Sequence, residues 1–222
     1  MIEAVIFDLD GVLLQSEEVW DRVREQLTRE TGGKWHSRAS RDMMGMSSPE
    51  WSRYMSKKLA LPMTPEEING EVVKRMELAY VDHLPLISGA HEAVDRLAAR
   101  WPLGLASSSN RSLIDKALHQ AELIDRFQAT LSSEEVERGK PHPDVFQEVA
   151  RRLGVEPRRV AAIEDSENGV RSAYAAEMAV VLIPNVSFPP GEEAAALAGA
   201  VLDNLDQLTT KLIQGLRAQD ES

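Results

Sequence analysis

Asp8 and Asp10 stand one residue apart at the end of a short apolar run, Val5-Ile6-Phe7, and Gly11 follows them. Side chains alternate along a strand, so residues two apart share a face. Both carboxylates can therefore reach one small volume where the strand stops. Like charges held that close repel unless a cation or a proton lies between them. Gly11 permits a sharp turn and a close approach of ligand to backbone. The pattern points to a metal-dependent chemical site. Mg²⁺, which prefers oxygen donors and keeps several waters, suits it.

Three other segments could join that chemistry. Ser107-Ser108-Ser109-Asn110 follows an apolar run over 103–106. Hydroxyls and free N–H groups at a helix start can hold an anion, although the same residues also serve as ordinary helix caps. Lys140 is fixed between Gly139 and Pro141, with His142 and Pro143 next. A lysine there is a compact positive charge for a phosphate or a carboxylate, or else a turn lysine on the surface. His142 reads as a cap or a structural residue. A third apolar run, 160–163, ends in Glu164-Asp165-Ser166. Adjacent acids face different sides, so one can bind metal while the other orients a neighbour. Helix-start carboxylates are the plainer alternative.

Strands and helices must bring these segments together. Apolar runs rich in β-formers recur at 4–7, 103–106, 129–131, 160–163, 180–183 and 200–202. Patterns of period 3.6 lie between most of them: Ile114, Ala117, Leu118 and Ala121; Phe146, Val149, Ala150 and Leu153; and, last, Leu205, Leu208, Leu212 and Leu216. Alternating strands and helices imply an α/β fold with a doubly wound, Rossmann-like parallel sheet. Ligands of such sheets bind beyond the carboxyl ends of the strands, where all four segments would meet.

The stretch from about Ser16 to Leu84 breaks the alternation and reads as helices only. Trp20, Val23 and Leu27 share one face; Trp51, Met55 and Leu59 share another, behind Ser48-Pro49 as N-cap and first turn. Thr64-Pro65-Glu66-Glu67 is a capping box opening a helix with Ile68, Val72, Met76 and Tyr80 inward. We therefore expect a helical cap at 16–85 inserted into a core of 1–15 and 86–222. Two adjacent crossings make a hinge, and a cap over the catalytic edge suggests a lid that excludes water; a packed, immobile subdomain is the alternative. The loop at 188–191 precedes a short helix near the carboxyl end, and 219–222 should fray.

The 222 residues suit one large domain with an insertion. A net charge of −11 argues against nucleic acid as a partner. Cysteine is absent, which excludes disulfides and thiol chemistry. The amino-terminal run is short and acidic, unlike a secretory signal, and no run approaches a membrane span. A cytoplasmic monomer that binds no membrane is the expectation.

Asp8-x-Asp10-Gly11-Val12, the Ser107 turn, Gly139-Lys140-Pro141 and Glu164-Asp165-Ser166, in that order, resemble the motifs of the haloacid dehalogenase superfamily. The Asp-Gly-Val-Leu-x-x-Ser-Glu stretch and the helical insertion are similar to its β-phosphoglucomutase/phosphatase-like branch. The resemblance spans nearly the whole chain and is specific for superfamily rather than substrate. It implies Asp8 as nucleophile and Asp10 as general acid and base. Ser107, the Ser108 amide and Lys140 would hold the transferring phosphoryl group. The metal would take Asp8, the Asp10 carbonyl and Asp165, with Glu164 in or just outside its shell.

Three departures qualify the likeness. Gln15 stands where the family often has aspartate. Trp20 and Ser48 stand where mutases of this branch carry histidine and arginine, and neither can hold a second phosphate by charge. The expectation is a Mg²⁺-dependent phosphatase of a small phosphorylated metabolite, with sugar phosphates among the candidates and Trp20 either facing substrate or buried in the core. The alternatives are a sugar phosphomutase, a metal-free dehalogenase and a non-catalytic phospho-acceptor.

Overall fold

Six parallel strands form the sheet of this computed structural model, which describes residues 1–44, 46–185 and 189–216. They are β1 (Ala4–Phe7), β2 (Leu103–Ser107), β3 (Ala129–Ser132), β4 (Val160–Glu164), β5 (Ala179–Leu182) and β6 (Ala200–Val201), in the order β3-β2-β1-β4-β5-β6. The chain winds outward from β1 to β3 on one side and from β4 to β6 on the other. The reversal between β1 and β4 is a topological switch point, where such sheets open a ligand crevice. Phe7 pairs with Leu105 of β2 and with Ile163 of β4. The residues that follow those three emerge side by side at one edge.

Strand alternation sends the core both ways. Val5, Phe7, Leu105 and Ile163 pack with α5 (Ala90–Ala98) and α6 (Arg111–Gln120). Ala4, Ile6, Ala106 and Ala162 pack on the other face with α7 (Asp144–Leu153) and α8 (Glu167–Ala175). Helices thus cover both faces, as a buried parallel sheet requires.

Between β1 and α5 lie only helices: α1 (Glu17–Glu30), α2 (Ala39–Met43), α3 (Ser48–Lys57) and α4 (Pro65–Asp82). The capping box at Thr64 forms, with Thr64 N donating to Glu67 at 2.9 Å and Glu67 N to Thr64 Oγ1 at 3.2 Å. The cap of α3 is Ser47 rather than Ser48. Glu50, three residues beyond Ser47, takes its N–H at 2.8 Å and its hydroxyl at 2.6 Å. Where the chain leaves and re-enters the sheet domain, Gln15 N donates to Pro85 O at 2.7 Å and Ile87 N to Leu13 O at 2.9 Å. Gln15 also donates from its side chain to Glu17, at 3.4 Å.

The leucine series at 205–216 is not one helix. A 3₁₀ turn, Leu205–Gln207, and a short helix, Thr210–Gly215, divide it. Each has its own cap: Asn204 accepts from Asp206 N at 3.0 Å and Thr209 from Leu212 N at 3.1 Å. Another short helix, Glu192–Ala195, follows the expected loop at 188–191, of which Phe188 lies outside the described residues, as do 219–222. No helix among the described residues is long and apolar enough to cross a membrane.

Candidate active site

Asp8 continues the β1–β4 ladder, its N–H donating to Ile163 O at 2.9 Å. Its carboxylate is buried and meets Lys140, whose Nζ donates to Asp8 Oδ1 at 2.7 Å, to Glu164 Oε1 at 2.5 Å and to Ala106 O at 3.0 Å. All three ammonium protons are thus spoken for. Burial pushes the Asp8 carboxyl up to about 8, against the pull of Lys140 in the other direction. Burial alone would lower the Lys140 ammonium, but the Asp8 and Glu164 charges outweigh it and hold lysine above its ordinary range.

Glu164 is wholly buried. Its other oxygen accepts Asp165 N at 3.0 Å, Ser166 N at 3.3 Å and Ser166 Oγ at 3.2 Å. Gly169 makes this possible, because a Cβ there would overlap the Glu164 carboxylate. With both oxygens engaged, Glu164 acts on the site by holding Lys140.

Asp8, Asp165 and Glu164 bring carboxylate oxygens within 4.8 Å of one another. Burial, then the Glu164 and Asp8 charges, push Asp165 well above the usual carboxylate range. Gly11, at φ 84°, turns the chain so tightly that a Cβ would fall on the Asp165 carboxylate. Hard oxygen donors, crowded like charges and a backbone held close by glycine fit a divalent cation such as Mg²⁺. Asp8 and Asp165 have the oxygens to hold it.

The Asp10 carboxylate is outside that cluster. Ser16 Oγ and Trp20 Nε1, the latter at 3.3 Å, donate to its Oδ1, and Ser109 Oγ donates to its Oδ2 at 2.6 Å. Of the two serines expected to bind phosphate, Ser108 lines the recess in front of Asp8, whereas Ser107 is fully buried. The Ser107 hydroxyl accepts Ser109 N–H at 3.0 Å and so shapes the loop.

This strand-end arrangement has parallels among known proteins. The family described as haloacid dehalogenase-like hydrolase matches residues 2–177. The chain belongs to that family. Hexitol phosphatase B of Escherichia coli K12 is 32% identical over 220 residues, 96% of this chain and 97% of its own. A phosphorylated carbohydrates phosphatase of Thermotoga maritima is 28% identical over 176 residues, 79% of this chain and 82% of its own. The crystal structure of β-phosphoglucomutase from Clostridium difficile superposes with a TM-score of 0.82 over 96% of each chain, at 23% identity, and so shares the fold.

In this hydrolase, residues of α1, α2 and α3 face the strand ends across a recess of about 730 Å³, its open mouth included. Trp20 is buried against Trp51, ring centroids 6.0 Å apart, and also borders the recess. Ser48 is buried and donates to Asn110 Oδ1 at 2.9 Å. Asn110 in turn donates to Asn69 at 3.2 Å and to Glu134 at 2.6 Å, so it ties α3 and α4 to the sheet domain. Sequence reasoning placed Ser109 in the serine turn and Trp51 on an apolar helix face, but gave no site role to Ser16, Trp51 or Arg24, which border the recess or bond to Asp10. Arg24 carried a signal: it lies one turn beyond Trp20 on the buried face of α1, amid Val23 and Leu27. A charge on an apolar stripe is a candidate for a purpose other than solubility.

Proposed function

We propose that the chain is a Mg²⁺-dependent phosphatase of small phosphomonoesters that works through an aspartyl-phosphate intermediate, with residues 16–85 as its cap. The observation that carries this reading is the buried Lys140 shared between Asp8 and Glu164, beside Asp165. The lysine orients Asp8 Oδ1 and lends the positive charge that a phosphoryl group needs. A Mg²⁺ held by Asp8, Asp165 and the Asp10 carbonyl would supply further charge compensation for the transferring oxygens.

An oxygen of Asp8 attacks phosphorus, and the bond from phosphorus to the leaving oxygen breaks. Asp10, steadied by Ser16, Trp20 and Ser109, gives its proton to that oxygen. A water then attacks the aspartyl phosphate as Asp10 takes back a proton. Phosphate leaves and the Asp8 carboxylate is restored. Ser108 and the loop that Ser107 shapes offer hydroxyl and amide donors to the phosphoryl oxygens. The relatives named as hexitol and carbohydrate phosphatases support sugar and polyol phosphates as the class to test first. Ser48, its hydroxyl committed to Asn110, and Trp20, its N–H committed to Asp10, offer nothing to a second phosphate, which argues against a mutase.

The test is phosphate release from a panel of phosphorylated metabolites with and without Mg²⁺. We expect Mg²⁺-dependent release and none from Asp8→Asn. Release that persists in Asp8→Asn, or no release by the parent from any compound, refutes the reading.

A further inference from the structure

Arg24 has no role in the scheme above, yet it is 8% exposed and borders the same recess as Asp8 and Lys140. Its guanidinium lies 4.5 Å from the Trp20 ring centre and 4.8 Å from that of Trp51. Two indoles this near hold the cation in place at the border of the recess. Its buried Nε has no hydrogen-bond partner among the described residues. A buried donor left unpaired is costly, so a guanidinium kept at the edge of the recess calls for a purpose beyond the packing of α1.

The charge around Arg24 says what kind of ligand. Asp21, one turn earlier on α1, and Glu17 border the recess with it. Burial lowers the guanidinium to about 10, while the charges of Asp21 and Asp10 act to raise it, so the cation already has carboxylates nearby. A second anion would enter among Asp10, Glu17 and Asp21 and meet repulsion. A hydroxyl suits this mixed lining, since it accepts from a guanidinium and donates to a carboxylate at once.

We propose that Arg24, with Asp21, is the specificity-determining subsite for the leaving group, reading hydroxyls of a neutral polyol or sugar and disfavouring a second anionic group. This rests on the phosphatase reading and deepens it. Neither residue touches the reacting atoms.

The experiment compares four substrates: a hexitol 6-phosphate; 6-phosphogluconate, whose far end is a carboxylate; a hexitol 1,6-bisphosphate; and p-nitrophenyl phosphate, which has no leaving-group hydroxyls. We expect the parent to prefer the hexitol 6-phosphate in kcat/KM over both doubly anionic compounds. Arg24→Gln should lower kcat/KM for the hexitol 6-phosphate by about 10–100-fold, the range of hydrogen bonds to a charged group. Its loss on p-nitrophenyl phosphate should be at least tenfold smaller. Equal losses on both substrates, or a parent that prefers either doubly anionic compound, overturn the proposal. The parent's ranking decides the matter even if Arg24→Gln does not fold. A parent that turns over p-nitrophenyl phosphate without ranking the other three overturns this inference alone. Absence of turnover on all four overturns the phosphatase reading with it.

Discussion

Replacing Lys140 by Met tests the electrostatic heart of the site without emptying its space. The methionine keeps the stem as far as Cε and loses only Nζ, which lies 4.9 Å from the Phe146 ring centre. It removes the cation that Asp8 and Glu164 share at 2.7 and 2.5 Å. Both acids are buried, so neither can recover the lost interaction from water. Removing one partner from a buried pair costs about 3–5 kcal/mol. For a chain this size, each kcal/mol lowers Tm by about 2–4 °C, so the drop is about 6–20 °C. The loss depends on pH. Asp8 titrates at 3.8 when unfolded and at about 8 when folded. A carboxyl raised on folding binds more protons folded than unfolded, so stability declines as pH rises between those values. Without Lys140 the folded value climbs further, so Asp8 goes on costing the variant stability above pH 8, where the parent's Asp8 no longer does. Guanidinium unfolding at pH 6 and pH 9, with chelator present, should show a larger deficit at pH 9. Equal deficits at the two pH values, or a deficit below about 1 kcal/mol at pH 9, would refute the shared-cation account.

Other perturbations probe the neighbouring parts. Mg²⁺ at a hundred times its dissociation constant should stabilise the fold by about 2.7 kcal/mol. At one fixed Mg²⁺ concentration the rise in Tm should be greater at pH 8 than at pH 6, since the ion must displace protons from Asp8 and Asp165; equal rises at both pH values count against those two as its carboxylate ligands. Gly11→Ala places a methyl on the Asp165 carboxylate at a positive φ, and should weaken Mg²⁺ in a titration of activity by about tenfold or more while costing about 1–3 kcal/mol in stability. Asn110→Ala removes the bridge from Ser48 and Asn69 to Glu134. We expect faster hydrogen exchange in α3 and the first turn of α4, with β1 and β4 unaffected; unchanged exchange in α3 would mean that the bridge carries no weight.

The strand-end site was legible in the sequence because each part is local. An apolar run followed by acids, a serine turn or a hindered lysine is visible within ten residues, and parallel pairing then brings Asp8, Ser107 and Glu164 to one edge. Locality also limits what periodicity can say. Leu205, Leu208, Leu212 and Leu216 keep helical spacing, but Thr209 caps a new start and breaks the run. Ser48 looked like a cap beside Pro49, yet the acid that completes a capping box, Glu50, sits three residues after Ser47. Arg24 showed only half of its meaning locally, as a charge on the apolar face of α1. Its surroundings come from packing α1 against α3, and no pattern within α1 announces Trp51.

The two kinds of information meet at Asp10. Within the sheet domain Lys140 donates to the Ala106 carbonyl and Glu164 accepts the Asp165 N–H. Asp10 instead takes two hydrogen bonds from the start of the cap, Ser16 and Trp20, and one from the sheet domain, Ser109. Trp20 also stacks on Arg24. Were α1 to swing outward, Asp10 would lose two of its three donors while Asp8 and Lys140 kept theirs. Under the proposed mechanism Asp10, as proton donor, would be aligned only with α1 seated. On that mechanism, proton transfer to the leaving oxygen would be tied to the position of α1.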